Sequence, residues 1–308
     1  MRRMILNTAK RVLRLLPGLG PLLDARDVVR RIQPGHFYSP IPELREVVAH
    51  ESRIFDRALR PLGGIDLRAA AQLELLEELA AFYGELPFRD VPTEGLRYCF
   101  QNSYYSYADA IFLYGMLRRY RPRRVVEIGC GWSTCAILDT RERFLDDTTH
   151  VTSIDPDPSR FCERLKPGDE QRIRLIADRL QQVDIRLFDE LGSGDFLIVD
   201  SSHVVKVDSD VNHIVFDILP RLSQGVFVHF HDMFYPFEYP RDWIQQGRYW
   251  SEAYLVRAFL QFNRDFEIVA WNHFLGLFHR QRLAERMPLC LENIGGSLWI
   301  RRYRGPSA

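Results

Sequence analysis

The stretch "VVEIGCGWST", Val125 to Thr134, decides the fold. Val125, Val126 and Ile128 form a short β-branched run, and Gly129 and Gly131 break it at once. A buried strand ending in a glycine turn, with a helix behind it, opens a crossover unit. The glycines let the backbone approach a ligand closely, and the helix behind them presents free N–H groups. Glu127, Gly129, Gly131 and Ser133 therefore stand at a strand-to-helix turn of the kind that holds a cofactor.

Outward from this stretch the pattern repeats. "HVTSIDPDP" (150–158) is a second run, "RIRLIAD" (172–178) a third, "DFLIVDSSH" (195–203) a fourth and "GVFVHFHD" (225–232) a fifth. Helical segments fall between them, among them "DVNHIVFDILPRL" (210–222). Alternating strands and helices predict a parallel sheet with right-handed crossovers. "FEIVAW" (266–271) and "GGSLWIRR" (295–302) offer two late strands. Asp155 ends the second strand, where a carboxylate can accept hydrogen bonds from two ribose hydroxyls.

These features suit a dinucleotide and S-adenosylmethionine alike, and two details separate them. The dinucleotide fingerprint requires a third glycine at position 134, which is Thr134. Glu127 would repel a pyrophosphate, whereas it could hold the cationic end of S-adenosylmethionine. "VVEIGCGWST" followed by "VTSIDPDP" resembles the first two motifs of the class I S-adenosylmethionine-dependent methyltransferases. The resemblance covers roughly residues 100 to 302. It implies a Rossmann-like, seven-stranded, mostly parallel sheet of order 3-2-1-4-5-7-6 with an antiparallel last strand. It implies that Gly129 and Gly131 lie beside the methionine moiety, that Asp155 holds the ribose, and that Glu127 serves the amino-acid end through water or backbone groups. Tyr107, in the segment before the first strand, and Asp178, after the third, are further expected cofactor contacts. Asn102 and Asp109 read equally as helix caps.

The fourth and fifth strands end in polar groups. "IVDSSHV" (198–204) leaves Asp200 at a strand end with His203 three residues on, and "HFHD" (229–232) leaves His231 and Asp232 at the next. Adjacent carboxyl ends of an open α/β sheet face one crevice, so these four groups are expected to converge beside the cofactor. The layout resembles the metal-assisted O-methyltransferases of the catechol and macrolide-sugar type. That resemblance implies a divalent metal, magnesium or manganese, on Asp200, His231 and Asp232, with His203 as general base. His231-Asp232 departs from the Glu-Asp or Asp-Asn pair usual there, and imidazole suits manganese, iron or zinc better than magnesium; the alternatives are a His231 that stands behind the ligands and a site without metal. A metal would help because an alcohol, with a pKa near 15.7, gives up its proton reluctantly to a histidine near 6.5. His229 reads as a core histidine, Asp208 and Asp210 as helix caps, and Lys206 as solvated.

Composition bounds the remainder. The 308 residues carry 41 basic and 41 acidic side chains and are 46% hydrophobic. A formal net charge of +0 gives no field to attract nucleic acid. The five cysteines include no C-x-x-C, so neither a disulfide framework nor a zinc knuckle is indicated and a cytoplasmic setting is expected. "MRRMILNTAKRVLRLLPGLG" (1–20) is basic and broken by charge, a packed terminal helix in preference to a membrane-surface one. Residues 1–95 read as an N-terminal helical cap or lid and 96–308 as the methyltransferase domain. The aromatic stretch "MFYPFEYPRDWIQQGRYW" (233–250) suits either a wall for a ring-shaped acceptor or internal packing. The expected activity is O-methylation of a small molecule, a sugar or glycosylated metabolite. The rivals are a metal-dependent hydroxylase-like enzyme on the same scaffold, an NAD-dependent oxidoreductase and a non-enzymatic binding protein.

Overall fold

The computed structural model describes residues 32–145 and 148–304. The basic stretch 1–20 lies outside them. The chain forms two compact units, one of residues up to Asp56 with Pro240–Tyr249, the other of Arg57–Tyr239 with the chain from Trp250 onward. In its described part the first unit has short helices at Leu44–Ala49, Glu51–Ile54 and Arg241–Gln245. Its division from the larger unit falls at 56/57, whereas the sequence suggested the end of a cap near 95. The reason lies in helix α1 (Ala69–Ala80), which buries Gln72, Leu75, Leu76 and Leu79 at helical spacing. Gln72 also accepts the N–H of Trp271 through its side-chain oxygen at 2.7 Å. This helix is thus part of the sheet unit.

The sheet has seven strands in the order β3-β2-β1-β4-β5-β7-β6. They are β1 (Arg124–Ile128), β2 (His150–Ile154), β3 (Ile173–Ile176), β4 (Phe196–Val199), β5 (Phe227–Phe230), β6 (Phe266–Trp271) and β7 (Leu298–Arg302). The first five pair in parallel and β7 runs antiparallel to both β5 and β6. Strands β4 and β5 are buried at every position, which is why they read as near-continuous apolar runs. Helix α2 (Ala108–Tyr120) is buried from Ala108 to Leu117, and α3 (Trp132–Phe144) follows the glycine turn.

The helical run after β4 changes pitch. Helix α4 (Asp210–His213) passes into a π turn at Ile214–Ile218 and a 3-10 turn at Leu219–Arg221. Pro220 has no N–H to return to the chain four residues back, so regular α-helical bonding fails there. The strand order reverses between β1 and β4, which opens a crevice at their carboxyl ends.

Candidate active site

Gly129 sits at that reversal with φ +85°, and a Cβ there would lie 1.9 Å from the Asp200 carbonyl oxygen. Glycine is required because the β1 turn presses on the end of β4. Gly131 is different: its backbone is extended and a Cβ would meet nothing within 4 Å. Asp155, at the end of β2, accepts the N–H of Cys130 at 2.9 Å and of Asp157 at 2.8 Å, one on each oxygen. It ties the first glycine turn to its own loop.

Glu127 and Ser133, both expected at the cofactor turn, are buried and bonded to each other. Glu127 is fully buried and accepts hydroxyls from Ser133 at 2.7 Å, Thr134 at 2.6 Å and Ser153 at 2.6 Å. The pair shapes the turn by joining β1, β2 and α3. Burial pushes the Glu127 carboxyl up to about 7, and the three hydroxyls only partly oppose it. A carboxyl near 4.5 in the unfolded chain and about 7 in the fold binds more protons when folded, so stability falls as pH rises through that window. The loss should total about 3 kcal/mol at 1.36 kcal/mol per unit. Glu127→Gln should flatten this difference when unfolding free energies are measured from pH 4.5 to 8. Curves for the two proteins that stay parallel would refute the raised carboxyl.

A cavity of about 350 Å³ lies against the turn, lined by Gly129, Asp155, Leu180, Gln181, Asp200 and Lys206 among others. Its size suits a small cofactor. Of the expected contacts, Gly129 and Asp155 line it, whereas Glu127, Gly131, Ser133, Tyr107 and Asp178 do not. Tyr107 stacks on Phe100 at 4.8 Å and donates its hydroxyl to Asp90 at 3.2 Å. Asp178 is exposed and accepts the N–H of Arg179, and it is Arg179 to Gln181 that reach the cavity. The bridge from Arg179 to Asp208, 2.8 Å, spans two of the lining loops. Asp208 and Asp210 do not cap the following helix. Ser209 does, by accepting the N–H of Asn212, while Asp210 holds Ser202. Asn102 likewise organises its own loop, accepting the N–H groups of Tyr104 and Tyr105.

Asp200 joins this cavity to the polar cluster at the ends of β4 and β5. His203 Nε2 lies 3.4 Å from Asp200 and 3.7 Å from Asp232, and His231 Nδ1 lies 3.2 Å and 3.6 Å from the same carboxylates. His203 and Asp232 both hold left-handed backbone, φ +59° and +58°, a strain that concentrates at functional sites. The four residues converge as the strand topology predicted. Asp200, His231 and Asp232 each offer a donor atom, and these lie within 4.8 Å of one another. Two carboxylates and an imidazole fit a divalent cation of the manganese, iron or zinc kind.

The charges are coupled. Burial pushes the Asp200 carboxyl up, but His231 and His203 outweigh it and hold it well below the usual range. Burial raises Asp232 to about 6 against the same two histidines. For His203 burial acts downward, yet Asp200, Glu252 and Asp232 raise it to about 10. His231 is likewise lifted well above its ordinary value despite burial, by Asp232, Asp200 and Asp109. His229 is a buried core histidine. Its Nε2 meets the Ser297 hydroxyl at 2.8 Å, and burial lowers it to about 3.

Two important partners escaped the sequence reading. Glu252, at the start of helix α5 (Glu252–Leu260), lies 2.8 Å from His203 Nδ1 and is 1% exposed. In "WSEAYLVRAF" (250–259) it looks like an ordinary first-turn acid. Asp109 lies 3.5 Å from His231 Nε2, on a helix that touches the site only through the fold. The aromatic stretch also resolves in part: Tyr235, Phe237 and Tyr239 are at most 1% exposed and pack inside, while Trp250 stacks on His203 at 4.3 Å.

Strand order, glycine turn and the carboxylate after β2 define a doubly wound α/β protein with a cofactor crevice at its topological switch. The family described as "Methyltransferase domain" matches residues 126–233. An uncharacterized protein of Archaeoglobus fulgidus is 33% identical over 169 residues, 54% of this chain and 76% of the relative. The chain belongs to the class I S-adenosylmethionine-dependent methyltransferases. Solved structures with more distant likeness include the apo structure of CmcI, 19% identical over 64% of this chain and 72% of that one, TM-score 0.39. The O-methyltransferase TomG of Streptomyces achromogenes in complex with SAM is 14% identical over 84% and 96%, TM-score 0.41. The SAH-bound methyltransferase PaMTH1 of Podospora anserina is 15% identical over 86% and 99%, TM-score 0.41. Among the described residues no helix is long and apolar enough to cross a membrane.

Proposed function

We propose that this enzyme transfers the methyl group of S-adenosylmethionine to a hydroxyl oxygen of a small molecule, a sugar or glycosylated metabolite, with His203 as the general base. The observation that carries the reading is the dyad of buried Glu252 on His203 Nδ1, which leaves Nε2 aimed at Asp200 beside the cofactor cavity. In this reading Asp155 and Gly129, which line the cavity, meet the cofactor, Gly131 in the same turn approaches it, and Glu127 and Ser133 hold the turn in shape.

In this reading His203 takes the hydroxyl proton as the methyl group moves. Full transfer beforehand, from an alcohol near 15.7 to an ordinary histidine near 6.5, would cost about 12 kcal/mol at 1.36 kcal/mol per unit. Glu252 reduces that gap by stabilising the imidazolium, and the ring stays in register because Trp250 stacks on it. Asp200, His231 and Asp232 would hold the cation, which when bound lowers the hydroxyl pKa and offsets the carboxylates that otherwise keep His203 charged. Proximity supplies the remainder, since acceptor and sulfonium occupy one crevice.

The test of the cofactor assignment is calorimetric titration with S-adenosylhomocysteine. Wild type should bind in the micromolar range, and Asp155→Ala should weaken binding at least about tenfold, the equivalent of one lost charge-assisted hydrogen bond to ribose. NADH should give no heat. Unchanged affinity in Asp155→Ala would remove the ribose assignment. NADH binding in place of S-adenosylhomocysteine would return the oxidoreductase reading.

A further inference from the structure

We propose that the centre at Asp200, His231 and Asp232 selects a nitrogen-accepting transition metal, manganese, iron, cobalt or zinc, over magnesium, and that Asp109 is the residue that makes it do so. This rests on the metal part of the reading above. His231 is the first residue past β5 and 4% exposed, so its ring has no freedom to turn toward solvent. Its two nitrogens face opposite ways, Nδ1 to Asp200 and Asp232, Nε2 to Asp109.

Asp109 is itself fixed. One of its oxygens, Oδ1, accepts the N–H of Gly296 at 2.9 Å, the hydroxyl of Ser297 at 2.7 Å and the amide of Asn272 at 2.8 Å. The other, Oδ2, faces the imidazole. Gly295 and Gly296 belong to this arrangement. A Cβ on Gly295 would come within 2.3 Å of Asp109 Oδ1, and one on Gly296 within 3.1 Å of the Asp232 Cα. The loop before β7 is therefore moulded around the acid that backs the histidine and the acid beside it.

A carboxylate facing the far nitrogen, here 3.5 Å away, favours the tautomer that carries its proton on that side and turns a lone pair toward the two aspartates. This is the support that metal-ligating histidines carry, and it raises the basicity of the ligating nitrogen. Donors bound to one ion at about 2.1 Å lie about 3.0–3.4 Å apart. His231 Nδ1 meets Asp200 at 3.2 Å, a long hydrogen bond, and stands 3.6 Å from Asp232, so the three donors are close enough together to share one ion after a small shift. By contrast the Glu252–His203 contact, which needs no ion, is 2.8 Å. Magnesium favours an octahedron of oxygens and gains little from imidazole, whereas the later divalent ions gain from it.

The experiment uses the full chain and metal ions alone. Manganese binding is followed by loss of the free-ion signal in electron paramagnetic resonance, with magnesium and zinc as competitors. Pulsed spectra of bound manganese report nitrogen coupling. Wild type should bind manganese, and magnesium should displace it only at about tenfold or greater excess. Nitrogen coupling should be present and vanish in His231→Gln, and Asp109→Asn should weaken manganese by about 10–100-fold. Magnesium binding as tightly as manganese, or bound manganese without nitrogen coupling, overturns the inference and leaves the metal-assisted reading standing. No metal binding at all, with S-adenosylhomocysteine still bound, overturns the inference and the metal while methyl transfer survives. The wild-type comparison needs no variant to fold, and S-adenosylhomocysteine affinity checks the fold of each variant.

Discussion

Replacing His203 with alanine should lower methyl transfer by about 10²–10⁴-fold, the span that a positioned general base contributes, while S-adenosylhomocysteine affinity stays within about twofold of wild type. The separation is expected from the wiring of the loop. The His203 carbonyl accepts the N–H groups of Ser251 at 2.9 Å and Glu252 at 3.1 Å, and Val205 donates its N–H to the Ser251 hydroxyl at 2.8 Å. The loop is therefore held by backbone groups that survive loss of the ring. Alanine does leave Glu252 buried beside an empty place, with the Ser201 hydroxyl, 3.2 Å away, on its other oxygen. His203→Gln, which can still meet Glu252, guards against a variant that fails to fold. Glu252→Gln keeps shape and removes charge, so it should lower turnover through the histidine it positions and leave cofactor affinity unchanged.

The assay uses methyl-labelled S-adenosylmethionine with whichever sugar, glycoside or phenol the wild type methylates in a panel. Wild-type turnover in His203→Ala would sink the base assignment. A loss confined to cofactor affinity would make the residue a part of the pocket wall.

The second large effect is expected at Gly129. Gly129→Ala asks a side chain to adopt φ +85° and to sit 1.9 Å from a backbone oxygen of Asp200. The left-handed backbone alone costs about 1–2 kcal/mol, and the clash cannot be relieved without moving the β1 turn away from β4. That movement displaces Asp200, which serves both the cofactor cavity and the polar cluster. S-adenosylhomocysteine affinity should fall by about 100-fold or more, and the melting temperature should drop with it, as for other strained backbone positions. Gly131→Ala is the control, because its Cβ meets no protein atom within 4 Å. Its stability should match wild type to within about 0.5 kcal/mol. Any loss of cofactor affinity in it then reports a ligand approaching that backbone. Equal stability losses in both variants would show that the two glycines play the same structural part.

Much of the fold was legible because it rests on local signals. The short runs ending in glycine or aspartate mark strands buried on both faces, and alternation with helices fixes a parallel sheet. Five parallel strands followed from that grammar, whereas the strand order and the antiparallel last strand came from the family resemblance. Asp200, His203, His231 and Asp232 were legible too, since carboxyl ends of neighbouring strands must share a crevice. For Glu127 the chain order says less. Its place before the glycines says that it is near the cofactor turn, yet whether its carboxylate points outward depends on Ser133, Thr134 and Ser153, hydroxyls from two other elements.

The sequence by itself determined the strand grammar, the glycine turn and the chemistry that the strand ends can carry, because each is set by residues adjacent in the chain. Only the tertiary structure decided which group backs each histidine. Glu252 reaches His203 across 49 residues and Asp109 reaches His231 across 122 in the other direction along the chain. No periodicity links positions so far apart. They meet because the sheet brings α2, the loop before β7 and the start of α5 to the same end of β4 and β5, and a buried imidazole holds its charge and direction only where such partners close around it.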